Sequence, residues 1–161
     1  MKQDRFFIGI LVAIAALVVL SLALFYARKD TQTYLPEDTP EAIIHNYALA
    51  LHQRDYERAY GYLAEKNNKP TFDQFRQAFL SNQLNLRGTG IEVGKVDLRG
   101  QEAYVDVSVV HTANGPFADS YRSTETAVLV RQAGEWRVSQ MPYPYWGWDW
   151  YQTPPKPAPT L

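Results

Sequence analysis

Between Phe6 and Ala27 the chain runs FFIGILVAIAALVVLSLALFYA, 22 residues without a charged side chain. At the helical rise this covers about 33 Å, enough to cross a hydrocarbon core of roughly 30 Å with every backbone polar group paired inside the helix. The run therefore reads as a membrane span, with a flank at 1–5 before it and everything beyond Ala27 tethered to it. A cleaved signal peptide is the competing reading, with Ser21-Leu22-Ala23 as a forced cleavage pattern. Signal cores are shorter, about 7–15 residues, and here Phe25-Tyr26 and Arg28-Lys29 supply interfacial and snorkelling anchors instead. Lys2 and Arg5 on one side nearly balance Arg28 and Lys29 on the other, so the positive-inside rule orients the helix only weakly. The expected location is the cell membrane, single-pass, with the domain outside the cytoplasm.

The remaining length suits one domain of ordinary size. From Asp30 onward it carries 12 Lys and Arg against 16 Asp and Glu. That balance argues against nucleic acid, which selects a basic face. There is no cysteine, so disulfides, thiolate metal sites and a lipid-modified cysteine are all excluded.

Residues 28–38 form a polar spacer. Thr39-Pro40-Glu41 then combines an N-cap, a first-turn proline and an acidic first turn. Ile43, Ile44, Tyr47, Ala48 and Leu51 follow at helical period as one apolar face. Asp55 caps a second helix carrying Tyr56, Ala59, Tyr60 and Leu63. Thr71-Phe72-Asp73-Gln74 has the capping-box spacing of a third, which Gly88 and Gly90 are expected to close near Arg87.

Beyond Gly90 the period becomes two. Ile91 and Val93 alternate, Gly94 shifts the parity as a bulge would, and Val96 and Leu98 continue. Ala103, Val105, Val107 and Val109 alternate against Tyr104, Asp106 and Ser108. Ser120–Arg131 and Glu135–Met141 complete four antiparallel strands, with Asn114-Gly115-Pro116 in one connection. Three helices followed by four strands define an α+β domain over 39–142, with helices on one side of a curved sheet.

The run PEAIIHNYALALHQRDYERAYGYL, the aromatic third helix and the closing hairpin AVLVRQAGEWRVS together resemble the nuclear-transport-factor-2-like superfamily. That resemblance implies a cystatin-type α+β cone whose concave face can hold a pocket. Some members use it for isomerase, dehydratase or hydrolase chemistry, and many are binding or assembly domains, membrane-tethered bacterial ones included. In this chain Tyr47, Tyr60, His111 and Glu125 are the candidate pocket residues. Glu125 would be the pocket carboxylate if it faced inward beside Tyr47 or Tyr60; a cross-strand ion pair is the alternative. Asp106, on the polar parity, reads as solvated, and so do His45 and His52, seven residues apart on one helix.

No catalytic motif, cofactor signature or metal-ligand spacing stands out, so none is expected. The exceptional stretch is Tyr143–Tyr151, YPYWGWDWY, with six aromatics in nine residues. Trp146, Trp148 and Trp150 alternate and would face one way in an extended segment. With Tyr143, Tyr145 and Tyr151 they could fold back over the pocket mouth, dock on a protein partner, or lie among lipid headgroups. Sugar stacking is a more distant variant. The tail 143–161 closes with Thr153–Leu161, TPPKPAPTL, which is polyproline-like and expected to order only when bound. The chain thus reads as a membrane-anchored binding or assembly module, with a proton-transfer enzyme or small-ligand binder as the alternative.

Overall fold

The computed structural model describes residues 3–27, 33–112 and 120–152, so Arg28, Lys29, the Asn114-Gly115-Pro116 turn and the Pro-rich end lie outside the described residues. The chain divides into two units, with the boundary between Thr33 and Tyr34.

The first unit is a single helix, α1 (Gln3–Ala27), of 25 residues. Its described side chains, 7–23, are all exposed. No helix among the described residues is long and apolar enough to cross a membrane.

The second unit holds α2 (Pro40–His52), α3 (Tyr56–Gly61), α4 (Phe72–Leu80), β1 (Thr89–Arg99), β2 (Glu102–His111), β3 (Tyr121–Gln132) and β4 (Glu135–Gln140). The three helix starts follow the capping chemistry of the sequence. Thr39 accepts from the Ala42 amide, Asp55 from that of Arg58, and Thr71 and Gln74 close a reciprocal capping box. One boundary differs from expectation: α4 ends at Leu80, well before Arg87. Ser81 and Asn82 stop it, with Asn82 at φ 64°, a conformation Asn tolerates better than most residues.

The strands pair antiparallel in the order β1-β2-β3-β4. The register of β1 on β2 slips between Val93 and Val96, at the expected bulge. Ala133 and Gly134, both at positive φ, make the two-residue β3–β4 turn. Along the edge of β4, the segment after α3 adds a short parallel bridge: the Ala64 amide donates to Val138 O, and the Val138 amide to Tyr62 O, each at 2.8 Å. This covers part of an otherwise open strand edge.

Ala103, Val105, Val107 and Val109 of β2 are fully buried with Ala127, Leu129 and Val138, forming the inner face against α2. The outer face is polar, carrying the exposed Asp106 and the Arg122–Glu92 ion pair of 2.8 Å, as expected for an antiparallel sheet wetted on one side.

Helix α2 departs from its expected one-sided pattern, because Ala42, Asn46, Leu49 and Ala50 are buried as well as the apolar stripe. Both flanking ends of the domain cover it. Asn46 accepts from the Leu35 amide and donates to Leu35 O, both at 2.8 Å, as a backbone strand would. Tyr34 adds a ring under the Arg58 guanidinium at 3.4 Å, and Glu37 accepts from Tyr62 Oη at 2.6 Å. The compact unit thus begins at Tyr34, inside the stretch that composition assigns to a spacer.

Candidate functional site

The chain's own C-terminal stretch contributes Tyr145, Trp146 and Trp150 to the buried core. Tyr145 is fully buried. Tyr47 Oη donates to Tyr145 O at 2.7 Å, tying α2 to the stretch. Tyr145 Oη lies 2.9 Å from His52 Nε2 and 3.2 Å from Thr89 Oγ1, so one phenol joins the end of α2 to the start of β1. Burial pushes the Tyr145 phenol up to about 12, with the Thr89 hydrogen bond pulling the other way. Burial also raises Tyr47 well above the ordinary phenol value. His52 is lowered by desolvation: its ring keeps an exposed edge, but Nε2 points inward at the phenol. His52 is exposed, as its position off the apolar stripe implies, and its Nε2 is in addition hydrogen-bonded to the Tyr145 phenol.

The four candidate pocket residues are not gathered into one site. Tyr47 Oη is committed to Tyr145 O, and Tyr60 Oη donates to Pro70 O at 2.9 Å. The Tyr60 ring meets Phe72 and Phe75 edge-on, each at 5.5 Å. Glu125 does stand on the inner parity, opposite the buried Val107, yet its own side chain is exposed. His111, at the end of β2, pairs with Tyr121 across the ladder, their rings 5.8 Å apart. Among the described residues no hydrogen bond links Glu125 or His111 to either tyrosine, so no positioned acid–base pair arises from these four.

The C-terminal aromatic stretch corrects the expectation that its tryptophans share a face. Successive turns wind it, with the Tyr145 amide donating to Pro142 O and the Trp150 amide to Gly147 O at 2.9 and 3.2 Å. Trp146 and Trp150 turn inward, whereas Trp148 is 80% exposed and Tyr143 61%. Trp150 packs 5.1 Å from the Phe75 ring and 6.1 Å from that of Phe79. Trp146 stacks on Tyr151 at 5.6 Å, and Tyr151 Oη donates to Ala64 O at 2.6 Å. Gly147 is required by contact: a Cβ there would stand 2.5 Å from the Trp150 indole.

What this winding leaves on the surface is a cleft of about 770 Å³, with Trp148, Tyr143, Trp146, Lys66, Asn67, Gln140 and Gln152 among its lining. Lys66 Nζ donates to Ser139 Oγ at 2.6 Å, both residues lining the cleft. Indole and phenol faces stand beside side-chain amides, and among the described residues no carboxylate lines the cleft. Such a surface can stack flat or puckered rings and donate hydrogen bonds. Sequence reasoning singled out the aromatic half of this lining and missed Lys66 and Asn67, from the segment after α3, and Gln140, the last residue of β4.

No family model matches the chain, and no curated protein matches it. Solved structures match at low identity. A SEC-C motif containing protein from Rhodopseudomonas palustris is similar at 14% identity over 66% of this chain and 79% of its own, with a TM-score of 0.49. A protein described as an NTF2-like transpeptidase from Campylobacter jejuni is 17% identical over 64% of this chain and 99% of its own, at 0.47. An uncharacterized cystatin fold protein from Novosphingobium aromaticivorans is 12% identical over 62% and 94%, at 0.41. The α+β description rests on the elements of this chain themselves.

Proposed function

We propose that this chain is a membrane-anchored, non-catalytic binding or assembly module of the nuclear-transport-factor-2-like type, and that the aromatic cleft is where a protein partner docks. The observation that carries the reading is that Tyr145 of the C-terminal stretch packs into the core between the helices and the sheet. Its carbonyl and its phenol are hydrogen-bonded to Tyr47, His52 and Thr89, so the polar groups around it are committed to the chain itself. The anchor reading rests on the charge-free run Phe6–Ala27 within a 25-residue helix. The partner reading rests on Trp148 and Tyr143, since Trp and Tyr are favoured interface anchors and a monomer gains nothing from exposing them. An accessory subunit of a membrane complex fits both.

Co-purification of the full chain from membranes in mild detergent tests the reading. A stoichiometric partner should be recovered with the native chain and lost with Trp148→Ala; equal recovery with that variant would contradict it. A reporter active only in the cytoplasm, fused to the C-terminus, should stay inactive if the domain lies outside.

A further inference from the structure

We propose that a second cleft, where the ends of α2 and α4 meet the start of α3 and the α4–β1 loop, is a docking site for an acidic peptide segment of a partner protein, with carboxylates flanking a bulky apolar side chain. It shares no lining residue with the aromatic cleft, so it goes beyond the reading above and stands or falls without it.

The cleft holds about 370 Å³. Leu51, Phe79 and Leu84 give it a buried apolar lining. Tyr56 stacks on Phe79 with ring centroids 6.0 Å apart, and Leu80 is left 52% exposed. Arg54 and Arg87 bring two exposed side chains to it, one from the α2–α3 joint and one from the α4–β1 loop. Among the described residues no carboxylate lines it. That is a local reversal of sign, since from Asp30 onward the chain has 12 Lys and Arg against 16 Asp and Glu.

Both arginines are uncommitted. Arg58, Arg99, Arg122 and Arg137 each hold a carboxylate, and Arg131 a backbone carbonyl. Among the described residues the Arg54 and Arg87 guanidinium groups have no such partner; Arg76 shares that state but does not line the cleft. Neither is needed as a helix cap, because backbone amides close both helix ends. The Arg54 amide donates to Leu51 O at 3.1 Å and that of Asp55 to Ala50 O at 2.8 Å, while Ser81 reaches Gln77 O at 2.8 Å and Leu84 reaches Ala78 O at 2.9 Å. The first two bonds make a Schellman motif, whose left-handed residue is most often glycine. Here that residue is Arg54, at φ 61°. A long side chain kept on strained backbone points to a use for the side chain.

The occupant follows from what exposed charge can supply. A solvent-exposed arginine–carboxylate pair adds little by itself, so binding also needs the apolar lining, which an inorganic anion would leave uncovered. Nucleic acid asks for a longer basic stripe than two arginines in an acidic unit provide. A peptide with an apolar residue between acidic ones meets both demands, laying that side chain against Leu80 and Tyr56 while the guanidinium forks take its carboxylates. Asn85 Oδ1 accepts from the Arg87 amide at 2.9 Å, which leaves the Asn85 amide nitrogen to donate to peptide carbonyls.

The test selects a random heptapeptide phage library on the full chain in mild detergent and measures the recovered peptides by fluorescence anisotropy. Selected sequences should be enriched in Asp and Glu around a large apolar residue. Arg54→Gln and Arg87→Gln should each weaken their binding about threefold to fivefold, and Leu80→Ala about tenfold. Arg54→Gly, which relaxes the backbone, should weaken binding as much as Arg54→Gln without lowering the melting temperature, separating a use of the side chain from a structural one. Single-stranded DNA should not displace the peptides, and Trp148→Ala should leave their affinities unchanged. Selection without acidic enrichment, binding indifferent to both arginine substitutions, displacement by DNA, or loss with Trp148→Ala would overturn the inference. The aromatic-cleft reading fails separately, through partner recovery that is indifferent to Trp148→Ala.

Discussion

Two parts of one nine-residue stretch behave oppositely. Tyr145 and Trp150 are core residues, one hydrogen-bonded to α2 and β1, the other packed on α4, while Trp148 and Tyr143 project from the same turns into solvent. The difference follows from local winding around Gly147, which turns alternate tryptophans to different sides. Composition alone treats these rings as one patch; the fold divides them into a plug and a surface. The plug accounts for the buried rings, and the surface explains why the stretch is more aromatic than a core requires.

Substitutions that separate the two parts should rank by burial. Trp150→Ala should have the largest effect, about 3–5 kcal/mol in chemical denaturation, because it removes the ring that Phe75, Phe79 and Trp146 pack against. Tyr145→Phe keeps the ring and removes the hydroxyl shared by His52 and Thr89. It should cost about 1–2 kcal/mol, read the same way.

The plug should also give stability a defined pH profile. His52, lowered by desolvation, takes up its proton more readily when unfolded, so stability should decline as pH falls below about 6.5. The Tyr145 phenol, raised to about 12, loses its proton first in the unfolded chain, so stability should decline again as pH rises from about 10 toward 12. Melting temperatures across pH should show both shoulders, and His52→Gln should remove the acidic one. Trp148→Ala should have the smallest effect on stability, within about 0.5 kcal/mol, while abolishing partner recovery. A large loss of stability in that variant would merge the two parts again.

What the sequence discloses is local. The caps at Thr39, Asp55 and Thr71, the bulge near Gly94 and the alternation of β2 each depend on neighbours a few residues away, and the structure carries all of them. What it conceals is long-range. Asn46 is an ordinary polar residue until Leu35 lies along it, and His52, exposed as its position implies, gives no local sign of the Tyr145 phenol that meets it from 93 positions later. Glu125 shows the limit of parity: opposite Val107 it stands on the inner face, yet its exposure depends on what covers that end of the sheet. Of the candidate pocket, strand parity recovers the face but not the assembly, because hydroxyls choose partners by tertiary proximity. The cleft was half legible, since aromatic density marks Tyr143–Tyr151 whereas nothing local marks Lys66 or Asn67.

The most direct measurement compares thermal unfolding of three forms in the same detergent: the full chain, a chain ending at Gln152, and a chain ending at Met141. If the aromatic stretch is the plug of the fold, the first two should unfold cooperatively at closely similar temperatures, and the third should show no cooperative transition near them. A chain ending at Met141 that melts as sharply and at the same temperature as the full chain would contradict the account.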